Sequence, residues 1–167
     1  EVLKGPQGTL FGKNTTAGVI HIITNRPNLE QVEGFVELEY ETEYEQTRAR
    51  GMFNAPIGDR SALRISGMWG EGDGWLENPL PADDANDLNR YNINAQWLFV
   101  PSDELDIRLG AYYGDIDEIC CSAVVLDELD DLVTHDNTEA ENDSTDYVYS
   151  AEINWDLSDA IKLTSVT

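Results

Sequence analysis

Positive charge is scarce in this chain. Ten lysines and arginines stand against 33 aspartates and glutamates, for a net charge of −23. A surface of that sign repels phosphate, which excludes nucleic acid as a partner. Cysteine is scarcer still. The only two, Cys120 and Cys121, are adjacent, which is not the spacing of a metal site. They read as a pair of loop thiols, as a vicinal disulfide, or as one member of a bridge to a cysteine elsewhere. A bridge between neighbours is strained, because Cα atoms across a trans peptide lie only about 3.8 Å apart. The two histidines, His21 and His135, stand in no Ser/His/Asp or Cys/His constellation. His135 lies in acidic surroundings and reads as surface decoration. No catalytic residue, metal ligand or cofactor site emerges, and the chain reads as a protein that is not an enzyme. No run of 18 apolar residues exists, so a transmembrane helix is excluded. Strands are untouched by that absence, because barrel strands alternate and their hydropathy averages out.

What is present is alternation. Seven stretches place apolar and polar residues in turn: Phe35–Thr42, Thr47–Ala55, Ser61–Gly70, Tyr91–Val100, Leu105–Tyr113, Tyr147–Leu157 and Ala160–Thr167. Period two marks strands with two unlike faces. In the fourth, Tyr91, Ile93, Ala95, Trp97 and Phe99 oppose Asn92, Asn94 and Gln96. The polar side carries Glu39, Arg64, Asn94, Arg108 and Glu152 near strand centres, so it must be wet or paired. The other side is apolar, with aromatics toward its ends: Tyr40, Trp69, Tyr91, Phe99, Tyr113, Tyr147 and Trp155. Apolar outside, polar inside and aromatic ends form the pattern of a transmembrane barrel. A soluble β-sandwich shares the alternation but needs its apolar face covered internally. Short joins at Gly58–Arg60, Pro101–Glu104 and Ser158–Asp159 alternate with long loops, Glu71–Arg90 and Asp115–Asp146. Turns on one rim and loops on the other are a barrel habit. Glu43–Gln46 is the exception, a short connection on the long-loop side.

Residues 116–146 are acidic throughout and hold no lysine or arginine. They read as a solvated, partly disordered loop, with one helical turn around Val124–Leu126 or Leu129–Val133. Clustered carboxylates suggest a hard cation such as Ca²⁺, but no Asp-x-Asp-x-Asp-Gly loop is present.

The first 28 residues differ in kind. Val2–Leu3 and Val19–Thr24 read as strands, the second buried on both faces. Gly5, Gly8, Gly12 and Gly18 punctuate the turns between them, with Gly5-Pro6 as a turn signal. Gly8, Gly12, Lys13 and Thr15 imitate a phosphate-binding loop. That motif needs four residues between its glycines and a Ser or Thr directly after its lysine. Here three residues intervene and Asn14 follows Lys13, so a nucleotide site is set aside. The chain opens on Glu1-Val2-Leu3 with neither an initiator Met nor a signal peptide, and reads as a fragment of something longer.

Val2-Leu3-Lys4-Gly5-Pro6-Gln7-Gly8-Thr9-Leu10-Phe11-Gly12, then Asn14, Gly18-Val19-Ile20, Ile22-Ile23-Thr24 and Arg26-Pro27, closely resemble the end of the plug domain of TonB-dependent outer-membrane receptors. Thr16-Ala17 and His21 depart from the family's usual residues. Asp73-Gly74-Trp75-Leu76-Glu77-Asn78, Tyr91–Trp97 and Leu163–Thr167 resemble its barrel segments less tightly. The resemblance implies an all-β fold: about seven strands (residues 29–167) of a 22-stranded barrel, preceded by the C-terminal part of the plug (residues 1–28). It implies location in the outer membrane of a Gram-negative bacterium, in contact with its lipid. It also implies active uptake of a scarce solute, most often an iron–siderophore complex, with haem, cobalamin and glycans open. Coupling to the TonB complex would run through a plug segment upstream. Gly5, Pro6, Gly8, Gly12, Asn14 and Gly18 would be structural and gating residues of the plug, with no cofactor. A passive porin would share the strands but has no reason to carry the glycine-rich segment.

Overall fold

The computed structural model describes residues 2–11, 15–20, 22–80, 82–120, 122, 124, 132–138 and 140–167. They form two separate sheets. The smaller is a ribbon of β1 (Val2–Lys4) and β2 (Gly18–Ile20), antiparallel, with Val2 opposite Ile20. A single helical turn, α1 (Gly8–Phe11), lies between them where turns alone are expected from the sequence. Gly18 has φ 149°, and a Cβ there would sit 2.6 Å from the Leu3 carbonyl oxygen, so the ribbon needs glycine at this register. Gly5 takes φ 81° before Pro6. Its N–H donates to the Ala17 carbonyl at 3.2 Å, and Gln7 N–H to the Thr15 carbonyl at 2.9 Å, which closes the loop. Gly12 and Asn14 lie outside the described residues. The expectation that Val19–Thr24 is a strand buried on both faces does not hold. The strand ends at Ile20, and Ile20, Ile22 and Ile23 are exposed. A two-stranded ribbon supplies no layers to bury it between.

The larger sheet holds seven strands in sequence order, all antiparallel: β3 (Glu33–Glu41), β4 (Gln46–Pro56), β5 (Ser61–Gly72), β6 (Leu88–Ser102), β7 (Leu105–Ile119), β8 (Glu141–Ser158) and β9 (Ile161–Val166). Register puts the apolar stripes side by side. Phe53, Ile65, Ala95, Ala111 and Tyr149 make one cross-strand row; Ala55, Leu63, Trp97, Leu109 and Ala151 make another. One residue along, Asn54, Arg64, Gln96, Gly110 and Ser150 line up on the opposite face. A one-residue slip would interchange the two sets, so the alternation itself fixes the pairing. β3 and β9 each have one neighbour, and the sheet is open.

The strands run further than their alternation announces. β6 and β7 have 15 residues each and β8 has 18. Asp115–Ile119 pairs with Glu141–Thr145, which turns both ends of the expected 116–146 loop into ladder. Ile116 and Ile119 fall on opposite faces among acidic and polar residues, so no consistent hydrophobic contrast marks these residues as strand. Val133 is not helical: it bridges Glu77. The turns sort as expected. Gly58 (φ 68°) shapes the turn from β4 to β5, and Asp103-Glu104 and Asp159-Ala160 join the next two hairpins. At the other rim lie the connections 42–45, 73–87 and 120–140.

Burial is concentrated at that second rim rather than on a sheet face. Leu76, Ala85 and Leu88 are three of the five buried apolar side chains among the described residues, with Ala62 and Leu98. By contrast Phe53 is 55%, Ile93 49% and Leu109 42% exposed on the apolar face.

Candidate functional site

The polar face of the large sheet is a lattice of paired charges. Arg50 donates to Glu37 at 2.6 Å, Arg48 to Glu39 at 3.2 Å and Arg64 to Glu33 at 3.0 Å. Arg108 binds Glu152 and also donates to Gln96 at 3.2 Å. Alternation aims these side chains the same way, and register brings opposite charges face to face. Partly exposed pairs contribute only about 0–1 kcal/mol each. Their main effect here is to leave the face close to locally neutral while keeping it wet.

The segment joining the two sheets lies on this face. Arg26 pairs with Asp106 and, at 3.5 Å, with Glu152. The Asn25 carbonyl accepts from Gln96 at 3.2 Å. Asn54 is the firmest hold. Its amide accepts from Asn28 N–H at 2.8 Å and donates to the Asn28 and Gln31 carbonyls at 2.9 and 3.0 Å. Asn54 is fully buried, and a buried amide with three bonds made is costly to disturb. The Arg26 and Asn54 holds both lie toward the short-turn end of the strands. Further along the same face, a groove of about 610 Å³ opens between Ile22, Thr24 and strands β5–β8. Ser66, Asn92, Asn94, Gln96, Arg108, Tyr112 and Ser150 line it.

The long-loop rim is interlocked. Leu76 and Ala85 exchange backbone bonds at 3.1 and 2.9 Å. Glu77 N–H donates to the Leu132 carbonyl at 3.1 Å, and Thr134 N–H to the Glu77 carbonyl at 2.9 Å, so the loop 73–87 and the connection 120–140 share a short parallel bridge. Asn78 donates to the Asp136 carbonyl at 2.9 Å and its N–H to Asp84 at 2.7 Å. Gly74 permits the fold: a Cβ there would lie 2.5 Å from the Asp84 carbonyl oxygen. Tyr44 packs on Trp75 with ring centroids 5.2 Å apart, tying in the third connection. Below this, Glu118 is buried and accepts from Arg90 Nε and NH2, both at 2.6 Å. Ile119 N–H donates to Asp87 at 2.5 Å. Burial pushes the Asp87 carboxyl above its ordinary value, and the nearby Glu118 and Asp117 carboxylates add to the rise, against the lowering by Ile119 N–H. Hydrogen bonds from Ser122 and Thr134 hold Asp136 below its ordinary value.

Of the residues singled out from the sequence, Gly5 and Gly18 shape the ribbon, while Pro6 follows Gly5 in its turn and Gly8 begins α1. Cys120 carries no free thiol, and its N–H donates to the Ala140 carbonyl at 3.0 Å; Cys121 lies outside the described residues. Residues 125–131 of the acidic segment lie outside them too. Among the described residues no group of three or more His, Cys, Asp or Glu side chains is placed to hold an ion. Sequence reasoning missed Asn28, Asn54, Asp87 and the bond between Arg90 and Glu118. Their partners lie 23 to 32 residues away, which no local pattern announces. No family model matches the chain.

Proposed function

We infer that the chain is part of a TonB-dependent outer-membrane receptor and that the protein takes up a scarce solute at the expense of external work. One observation carries most weight beyond the resemblance. The glycine-rich segment's continuation, residues 25–31, is bound to the polar face, while among the described residues none covers the aromatic and aliphatic face. A soluble sandwich arranges its sheet the other way round, with the apolar face covered. A porin has the same strands but no plug for its polar face to hold. On this reading the apolar face meets lipid, the polar face lines the lumen, and residues 1–28 close the plug. The solute biases a plug with two arrangements, and the inner-membrane motor supplies the work that moves it. Iron–siderophore complexes are the substrate class the resemblance favours.

The reading frame around the chain tests this. A receptor has a signal peptide and a TonB box upstream and about 15 further strands downstream, to complete 22. The folded protein should also depend on detergent or lipid and migrate differently on gels before and after boiling. A monomer folded in plain buffer contradicts the reading.

A further inference from the structure

The uptake reading gives the two cysteines no role, yet one of them sits at a junction. Cys120 directly follows β7 and extends its pairing with the next strand, its N–H donating to the Ala140 carbonyl at 3.0 Å. The residue before it is stitched to the loop 73–87. Ile119 N–H donates to Asp87 at 2.5 Å, and Asn86 N–H donates to the Ile119 carbonyl at 2.7 Å. On the other side of Cys121, the Ser122 hydroxyl bonds the Asp136 carboxylate. Thr134 Oγ1 donates to the same carboxylate at 2.8 Å, and the Asp136 carbonyl accepts from Asn78 of the loop 73–87 at 2.9 Å. The chain is thus fixed on both sides of the 120–121 peptide. The fixed points beyond it are those that dock the connection 120–140 on the loop 73–87, with Thr134 buried in the contact.

Cys120 carries no free thiol, and its neighbour Cys121 is the chain's other cysteine. A disulfide stabilises mainly by closing a loop in the unfolded chain, and its effect grows with the residues enclosed. Between neighbours almost nothing is enclosed, so such a bond adds least to global stability. What it restricts is local: it ties two side chains and the peptide between them into one small ring, which removes their rotamer freedom at that corner. Adjacent Cα atoms lie about 3.8 Å apart, short of the roughly 4.4–6.8 Å usual for a bridge, so the bond is strained by its placement in the chain. Strained or accessible disulfides are the readily reduced ones. Cys120 is half-buried and within reach of a small thiol.

We propose that Cys120 and Cys121 form a vicinal disulfide that works as a redox clasp on the long-loop rim. Bonded, it aims Ser122 at Asp136 and keeps the connection 120–140 docked on the loop 73–87; reduced, it lets that contact open. The reductant is a dithiol. One of its thiolates attacks a clasp sulfur and breaks the S–S bond, and its second thiol resolves the mixed disulfide. Two electrons and two protons pass to the protein, leaving Cys120 and Cys121 as thiols and the dithiol as a cyclic disulfide. The strands β4 and β5 take no part, because their ladder and the Asn54 hold are built from other residues. The clasp is independent of the uptake reading.

Full-length protein, purified without reductant and folded in detergent or lipid, is alkylated before and after dithiothreitol. Mass spectrometry of the peptide carrying residues 120 and 121 should find neither cysteine labelled before reduction and both labelled after. Hydrogen exchange at the Thr134 and Glu77 amides should rise on the order of tenfold on reduction, the scale of losing one or two neutral hydrogen bonds. Exchange in β4 and β5 should not change. The Cys120→Ser/Cys121→Ser variant should exchange like the reduced protein, with or without dithiothreitol; the unaltered protein gives the answer even where that variant does not fold. A free thiol on either cysteine before reduction, or a bond from Cys120 to any other peptide, overturns the proposal. So does exchange at Thr134 and Glu77 that reduction leaves unchanged. Reduction that opens β4 and β5 as well overturns it too, since the bond would then brace the whole fold rather than the rim.

Discussion

On one face of the seven-stranded sheet, Phe53, Ile65, Ala95, Ala111 and Tyr149 stand in a row with no described residue covering them. One step along the same strands, Asn54, Arg64, Gln96, Gly110 and Ser150 face a groove and a bound segment. The backbone is common to both faces, so the difference lies wholly in which side chains alternate. The polar face spends its charges on each other and its buried amide on residues 28 and 31. The apolar face ends in aromatic clusters at both ends. Tyr91, Tyr113 and Tyr147 meet at one, with Tyr113–Tyr147 centroids 5.0 Å apart, and Trp97 stacks on Phe99 toward the other. Past the first cluster the same face turns to Asp115, Asp117 and Asp143, so its apolar band is bounded along the strand. A face that is apolar only between aromatic limits fits a slab of lipid better than a second protein layer.

Charge placed on each face should cost differently. On the proposed reading, in which the apolar face meets lipid, Ala111→Arg at mid-height on that face should destabilise the protein folded in lipid by about 2–4 kcal/mol. Ser150→Arg, on the polar face, should stay within about 0.5 kcal/mol. Equilibrium folding in lipid vesicles reads both, and equal costs would erase the distinction between the faces.

Asn54→Ala should come next. It leaves Asn28 N–H and two carbonyls without their partner and should cost about 1–3 kcal/mol. Hydrogen exchange at Asn28 should rise with it. Arg26→Ala should cost less, about 0–1 kcal/mol, because Arg26 is half exposed. If Asn28 stays protected in the Asn54 variant, the polar face does not hold this segment as described.

At the rim, Glu118→Ala removes a buried carboxylate from Arg90 and Asn89. Arg90 is 42% exposed and can take up water, so the loss should be about 1–2 kcal/mol rather than that of a sealed pair. It should appear as protease cutting between 120 and 140 with both sheet faces unaffected.

The smallest effect is a pH dependence. The folded value of Asp87 is raised, so the folded state holds its proton to higher pH than the unfolded chain does. That contribution is complete below the ordinary value of 3.8 and is lost as pH rises through the folded value. Opening of the Ile119 amide should therefore become slightly easier from acid to neutral pH. Asp87→Asn keeps an oxygen for Ile119 N–H and should flatten that slope. An unchanged slope would place the titrating group elsewhere.

The strands were legible because alternation is a local property. Every stretch from Phe35 to Thr167 that alternates belongs to the sheet, and its two faces fall as the residues dictate. Strand ends were illegible where contrast vanishes, as in Asp115–Ile119 against Glu141–Thr145. The interlocked rim was illegible for a different reason. Leu76, Ala85 and Thr134 are isolated residues in polar loops, buried where those loops bridge one another rather than by any period. Only Asp73–Asn78 left a trace in the sequence, as a resemblance; why Gly74 must be glycine appears only in the structure. Asn92, Asn94, Gln96 and Arg108 were legible as members of one polar face; that this face bounds a groove beside Ile22 and Thr24 takes coordinates to see.

The proposed contact between the apolar face and lipid can be tested directly. Trp69, Trp97 and Trp155 project from that face and Trp75 sits in the rim against Tyr44. Intact protein carrying one of these as its single tryptophan is reconstituted with lipids brominated on the acyl chains. The account predicts strong quenching at Trp97 and Trp155, quenching at Trp69, and little at Trp75. Equal, weak quenching at all four positions in a correctly folded protein would contradict it.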